Sequence, residues 1–164
     1  MASRLSQSDA ERLRELEDRA EIADLVNRYG EAVRQGSAEL IVSCFSADAS
    51  IDYGDGQVIV GRRDILRYFT ENLEATGSES VVALDQRLAA TPVKTNVLIS
   101  VDGDEARCES MCLAIHAGLR EGECSIVVRG TCNIDDLVRT PEGWKIRRRE
   151  HPAIWKFEVP GAVL

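Results

Sequence analysis

From Val81 onward the hydrophobic period shortens from three or four residues to two, and turn signals cut that half of the chain into strand-length pieces. The pieces are Leu88–Val101, Ala106–Ala117, Ser125–Val138 and Trp144–Arg149, parted by turns at Asp102–Asp104, Arg120–Glu123 and Thr140–Gly143. Connections this short join antiparallel neighbours, because a parallel crossover needs a dozen residues or more. The second half is therefore an antiparallel meander, and its apolar face must be covered by the first half. That half supplies helices. Leu13, Leu16, Ala20, Ala23, Val26, Tyr29 and Val33 recur at helical spacing over Asp9–Gln35, with Ser8 or Asp9 to cap the start and Gly36 to end it. Ala38–Phe45 continues as a short second helix, Ser46–Ser50 breaks the pattern, and Ile51–Tyr53 is a small strand entering a glycine turn at Gly54–Gly56. A third helix over Arg62–Leu73 carries Ile65, Leu66, Phe69 and Leu73 on one side, and Ala75–Ser80 is a polar connection. The class is α+β, with helices packed on one face of a curved antiparallel sheet.

At 164 residues one domain is expected: residues 9–157, between a disordered N-terminal tail, 1–8, and a C-terminal tail, 158–164. His151–Phe157, rich in bulky apolar groups, is expected to close one end of the sheet or to contact a second subunit. A net charge of −8 argues against nucleic acid and anionic membranes as partners. The one basic run, Lys145–Arg149, falls on a strand and reads as an exposed sheet face. No apolar run approaches the roughly 20 residues that cross a bilayer, and the N-terminus reads as neither a signal nor a transit peptide. The expected location is the cytoplasm. The five cysteines include no CxxC pair, and Cys108 and Cys112 would lie roughly 13 Å apart along a strand, so neither a metal site nor a disulfide framework is expected.

Candidate site residues follow from strand and helix faces. Tyr53, after a short strand and before a glycine turn, is placed to act as donor or acid, while Asp52 points the other way. Tyr29 lies on the apolar stripe of the first helix; Asp24 is left undecided between inward and outward. On the first long strand Pro92, Lys94 and Asn96 share one parity and Val93, Val97 and Ile99 the other, unless a bulge near Thr95 changes it. A desolvated Lys94 would have a lowered pKa and act as base or amine nucleophile; the plainer reading is a snorkelling lysine. The next strand puts Cys108, Ser110, Cys112, Ala114 and His116 on one face, which makes His116 a candidate base. Thr131, Asn133 and Asp135 share a face of the third long strand, with Asp135 a candidate carboxylate base, or else a polar residue on an exposed face. His151 is a mouth residue. Arg34 would bind an anionic oxygen or cap the helix end, and Trp155 is counted with the ligand contacts.

The order and spacing of Arg19–Tyr29, Phe45–Asp48, Ile51–Tyr53, Gly61, Thr95 and Asn96, Asp102–Ala106 and Gly143–Ile146 resemble the SnoaL-like branch of the nuclear transport factor 2-like superfamily, over about Arg19–Trp155. The resemblance implies a cone, a bent sheet wrapped around helices with a deep, largely apolar pocket, as in scytalone dehydratase, polyketide cyclases and hexachlorocyclohexane dehydrochlorinase. In the dehydratase and dehydrochlorinase relatives an Asp orients a His that removes a proton from the substrate; the matching positions here are Arg34 and Pro92. A further His of scytalone dehydratase matches Ser110. Tyr53 matches a tyrosine that holds a substrate-polarising water, and Asn133 matches a pocket asparagine. The implied function is that of a cofactor-free lyase, isomerase or cyclase for a hydrophobic, oxygenated small molecule of polyketide, steroid or terpenoid type. Tyr53 and Asn133 would polarise oxygen and His116 or Asp135 would move the proton. The alternative is a binding or assembly module that has lost the dyad. Relatives also imply a homodimer through the sheet face.

Overall fold

The computed structural model describes residues 7–54, 56–74 and 85–161. The expected connection Ala75–Ser80, the first six residues and the last three lie outside that set. Helix α1 (Gln7–Gln35) and the single-turn α2 (Ala38–Ser43) lead into β1 (Phe45–Asp52), β2 (Val58–Val60) and α3 (Arg62–Glu74). The long strands β3 (Gln86–Asp102), β4 (Glu105–Arg120) and β5 (Glu123–Thr140) follow, then β6 (Gly143–Glu150) and β7 (Ala153–Pro160). The sheet order is β2-β1-β6-β5-β4-β3, antiparallel except where β1 runs parallel to β6. The expected meander is β3 to β6, and the class is α+β with the N-terminal helices on the concave side of a curved, unclosed sheet.

Several local expectations change. The second helix stops at Ser43 rather than Phe45, because the Cys44 carbonyl accepts from the Ile146 backbone N–H at 2.9 Å and draws the chain into the sheet. The stretch Ser46–Ser50 is strand rather than a break: Phe45, Ala49 and Ile51 of β1 are buried, while its short polar residues hide the alternation. Leu13 and Leu16 stand 46% and 64% exposed, so the packed stripe of α1 starts at Asp18 and runs through Ile22, Leu25, Val26 and Tyr29. Asp18 is buried because it is satisfied twice: Trp144 Nε1 donates to it at 3.2 Å and Arg139 pairs with it at 2.7 Å.

Two bulges decide what faces inward. In β3 the register with β4 slips by one between Thr95 and Leu98, and Asn96 there takes a left-handed φ of 52°. The inward parity passes from Ala90, Pro92 and Lys94 before the bulge to Ile99 and Val101 after it, the usual effect of one inserted residue. In β6 the register with β5 slips between Ile146 and Arg148. Trp144 and Ile146 are buried before that slip and Arg149 after it, so the basic run is not wholly an exposed face: Arg147 and Arg148 pair with Glu105 and Glu150 at the surface while Arg149 turns inward.

The tail is also a strand. β5 is long enough to carry β6 along Ile134–Thr140 and β7 along Ser125–Thr131 on the same edge. The chain steps from one to the other through His151 and Pro152, pinned by His151 N–H to the Asp52 carbonyl at 2.7 Å and Cys132 N–H to the Pro152 carbonyl at 3.3 Å. The final strand reaches Pro160, so residues 158–160 belong to the sheet rather than to a C-terminal tail. Its side chains are exposed, and Trp155 stacks on Phe157 with centroids 5.7 Å apart. The indole lies over Gly130, where an added Cβ would sit 2.2 Å from Trp155 Cε2. Gly130→Ala is therefore expected to expel the indole and loosen β7 at a cost of about 1–3 kcal/mol, seen as lost amide protection over 153–160 and a tryptophan emission shift. Trp155→Ala in the same background should relieve most of the penalty.

Candidate functional site

A cavity of about 140 Å³ opens between the concave face and the helices. One wall is aromatic: Tyr29 from α1, Tyr53 just past β1, and Tyr68 and Phe69 from α3. Opposite it, β3 contributes Pro92 and Lys94, and β4 contributes Cys112, Ala114 and His116. From β5 come Arg129 and Thr131, and His151 closes the wall where the chain crosses from β6 to β7.

Beneath the cavity lies an ion pair. Arg149 donates through Nε and Nη2 to the two carboxylate oxygens of Asp135, each at 2.7 Å, with the two side chains 2% and 1% exposed. The guanidinium stacks on Tyr29 at 4.0 Å from its centroid and lies 5.6 Å from that of Phe45. Burial alone would favour loss of the Arg149 proton, but the Asp135 charge and hydrogen bonds override it and hold the pKa above the ordinary arginine value. The surrounding titrations follow chiefly from burial. Burial, and next the Arg149 charge, lower the Lys94 pKa. Burial, with Arg149, Lys94 and Arg129 nearby, lowers that of His151 to about 3, so its imidazole is neutral at physiological pH. Burial raises Tyr29, and burial together with the neighbouring Tyr29 and Tyr68 raises Tyr53 well above the usual phenol, so both remain hydrogen-bond donors.

His151 is held in one tautomer. Asn133 directs Nδ2 toward Ser110 Oγ, 3.5 Å away, and Oδ1 toward His151 Nδ1. Nδ1 therefore donates its proton to Asn133, and the lone pair resides on Nε2. The ring also meets Tyr53 edge to face, centroids 5.6 Å apart, and Tyr53 packs on Tyr68 at 5.1 Å.

Of the candidates read from the sequence, Tyr53, His116, Tyr29 and Lys94 face the cavity, as does Pro92. Ser110 and Asn133 are buried behind it and reach it through His151. Asp135 is corrected as a base, because both its oxygens are occupied by Arg149. Arg34 is exposed on α1 and paired with Glu31 at 2.6 Å, outside the cavity; Asn96 serves the β3 bulge; Trp155 covers Gly130 on β7. Asp24 is exposed. Sequence reasoning underrated His151, a single imidazole before a proline, and missed Tyr68, Arg129 and Arg149. The parity reversal in β6 hid Arg149 inside a basic run. Among the described residues no group of three or more His, Cys, Asp or Glu is placed to hold a metal ion, and no helix is long and apolar enough to cross a membrane.

Residues 14–150 match the family model of the SnoaL-like domain. The chain is 32% identical over 141 residues to the uncharacterized protein Rv2910c of Mycobacterium tuberculosis, covering 82% of this chain and 84% of that one. Among solved structures it superposes on an NTF2-like protein with a cystatin-like fold from Novosphingobium aromaticivorans, with TM-score 0.73 and 24% identity over 93% of this chain and 92% of the other. A hexachlorocyclohexane dehydrochlorinase superposes with TM-score 0.73 and 17% identity over 93% and 95%.

Two predictions concern this charge cluster. Arg149→Met or Asp135→Asn alone should cost about 3–5 kcal/mol by leaving one charge buried without its partner, while Arg149→Met with Asp135→Leu should recover most of that in urea unfolding. His151 binds its proton far more weakly folded than unfolded, so the unfolded chain holds more protons between pH 6.5 and about 3. Stability should therefore fall with decreasing pH across that window, by up to about 1.4 kcal/mol per unit from this group. His151→Gln should flatten that part of the stability–pH curve.

Proposed function

Because the chain belongs to the SnoaL-like domain family, we propose that it is a cofactor-free lyase, isomerase or cyclase that moves a proton on a hydrophobic, oxygenated small molecule bound among Tyr29, Tyr53, Tyr68 and Phe69. The observation that carries this reading is the Asn133-bound His151 at the cavity wall, edge to face with the phenol ring of Tyr53. The neutral imidazole offers Nε2 as proton acceptor, and the neutral Tyr53 hydroxyl donates to the substrate oxygen. As a proton leaves the carbon next to that oxygen, negative charge collects on oxygen. Arg129 and the buried Arg149, already oriented before the charge appears, then stabilise it. The low proton affinity of His151 has a consequence: its imidazolium is tolerated only beside the new anion, so it is formed and discharged within the reaction. His116 lies in the same wall and is the second candidate for returning the proton.

The fold shared with a hexachlorocyclohexane dehydrochlorinase is in keeping with a small-molecule transformation of this kind. A non-catalytic ligand-binding module is the second reading, favoured by Pro92 and Arg34 at the positions of the relatives' base and its partner. In deuterated water the protein should exchange the α-protons of cyclic or aryl ketones faster than buffer does, followed by proton NMR. His151→Gln and Tyr53→Phe should each slow that exchange about 10²-fold or more. Exchange at the buffer rate across the panel, with ketone binding intact, would leave the binding module standing.

A further inference from the structure

We propose that Lys94 is an amine nucleophile that condenses with aldehydes and ketones in the cavity, giving the protein iminium chemistry beside its acid–base chemistry. The proposal rests on the reading above only in requiring that a carbonyl compound enters the cavity. The chain has three lysines, and their settings differ. Lys145 Nζ donates to the Ser43 carbonyl at 2.8 Å and lies 3.7 Å from Glu142. Lys156 is exposed on β7. Lys94 alone lines the cavity, its Nζ 5.6 Å from the Tyr29 ring centroid, and among the described residues it forms no ion pair.

The β3 bulge makes this placement deliberate. It lets the stretch before it turn Pro92 and Lys94 inward while Ile99 and Val101 still reach the core beyond it. Inside, the Tyr29 ring that Lys94 faces is also the ring on which Arg149 stacks, and the Asp135 carboxylate is held by that arginine in a bidentate pair and forms none with Lys94. An ammonium in an apolar wall, beside a fixed cation and without a carboxylate of its own, loses its proton more readily than a solvated one, and its pKa is lowered accordingly. The free amine is the nucleophilic form.

The chemistry closes without an oxidant, a reductant or a further reactant. The Lys94 nitrogen lone pair forms a bond to the carbonyl carbon, and the carbonyl oxygen takes a proton, for which Tyr53 is the placed donor. The oxygen takes its second proton from the Lys94 nitrogen and leaves as water, giving the iminium; hydrolysis at the end of the cycle returns the first proton to Tyr53. The iminium draws electrons from the adjacent carbon more strongly than the carbonyl did, so His151 Nε2 can remove the α-proton to give an enamine. Reprotonation at carbon and addition of water return the product and the free amine. The cavity volume of about 140 Å³ is of the size that takes a single-ring carbonyl.

The test uses the full chain, benzaldehyde or cyclohexanone as probe, and borohydride to reduce any iminium to a stable secondary amine, with peptide mass mapping of all three lysines. Lys94 should be labelled at least tenfold faster than Lys156 in the same molecules, and Lys94→Arg should abolish that label while leaving Lys156 labelling unchanged. Labelling of Lys94 no faster than Lys156 overturns the proposal; this comparison within one protein does not depend on the variant folding. Proton exchange measured in parallel separates the two readings. Exchange that persists in a protein without preferential Lys94 labelling overturns amine catalysis and retains His151 chemistry, whereas loss of both overturns both.

Discussion

The bidentate pair between Arg149 and Asp135 is the interaction on which the rest of this molecule depends. It joins β5 to β6 and, through the stack of the guanidinium on Tyr29, holds α1 against the sheet. Removing two charges from water costs several kcal/mol per ion, and the Coulombic return depends on geometry of this quality. The pair is therefore weak evidence for extra stability and better evidence for specificity: with either strand out of register, one of the charges would be stranded in the core. The guanidinium charge of the pair also lies beside an apolar cavity, stacked on its Tyr29 wall. Lys94 and His151 lose proton affinity through burial and then through that charge.

The second organising constraint is geometric. Extended backbone sends alternate side chains to opposite faces, so a regular strand cannot supply a cavity with polar groups at one end and a core with apolar groups of the other parity further along. The slips in β3 and β6 remove that restriction. One places Lys94 and Pro92 inward without turning Ile99 and Val101 out; the other places Arg149 inward beyond Trp144 and Ile146. The step from β6 to β7 does comparable work. It leaves His151 against the middle of β5, where Asn133 fixes its tautomer, and near the end of β1, where Tyr53 begins.

What was legible in the sequence was whatever followed a regular period. The meander, α1, α3 and the α+β class come directly from alternation and turn residues, and the small-residue face of β4 is where periodicity places it. What was hidden was what breaks the period. Ser46–Ser50 reads as a loop because its strand is short and polar, and β7 because a strand paired along one edge and exposed along its length shows no alternation. Arg149 is indistinguishable in sequence from Arg147 and Arg148 until the slip in β6 is known. Asp135 was left open between a carboxylate base and a residue of an exposed face; it is buried, but its partner decides its chemistry, and the partner was the residue concealed. Pro92 and Arg34 mark, by resemblance, where the relatives' dyad stands; Pro92 lines the cavity, whereas Arg34 lies outside it.

These features bear on the proposed reading of the cavity as a site of proton transfer. Its cationic neighbours include Arg129 and Arg149, with Asp135 already committed to Arg149, and among its uncharged groups are the Tyr29 and Tyr53 phenols, which remain protonated, and the His151 imidazole, which remains neutral. The whole chain carries a net charge of −8, so the positive interior is local and not a general property of the protein. Such a site has little to offer a cationic intermediate, which would meet like charge in a medium of low dielectric. An oxyanion gains most there, since donors and cations are already oriented and no solvent has to reorganise as the charge appears. On that reading a neutral imidazole beside Arg129 and the paired Arg149 is a poor trap for a solvent proton and accepts one only where the proton leaves an anion behind. Under the proposed function the electrostatics favour enolate-forming chemistry over carbocation chemistry, even though the cavity's apolar walls would accommodate the carbon skeletons of either.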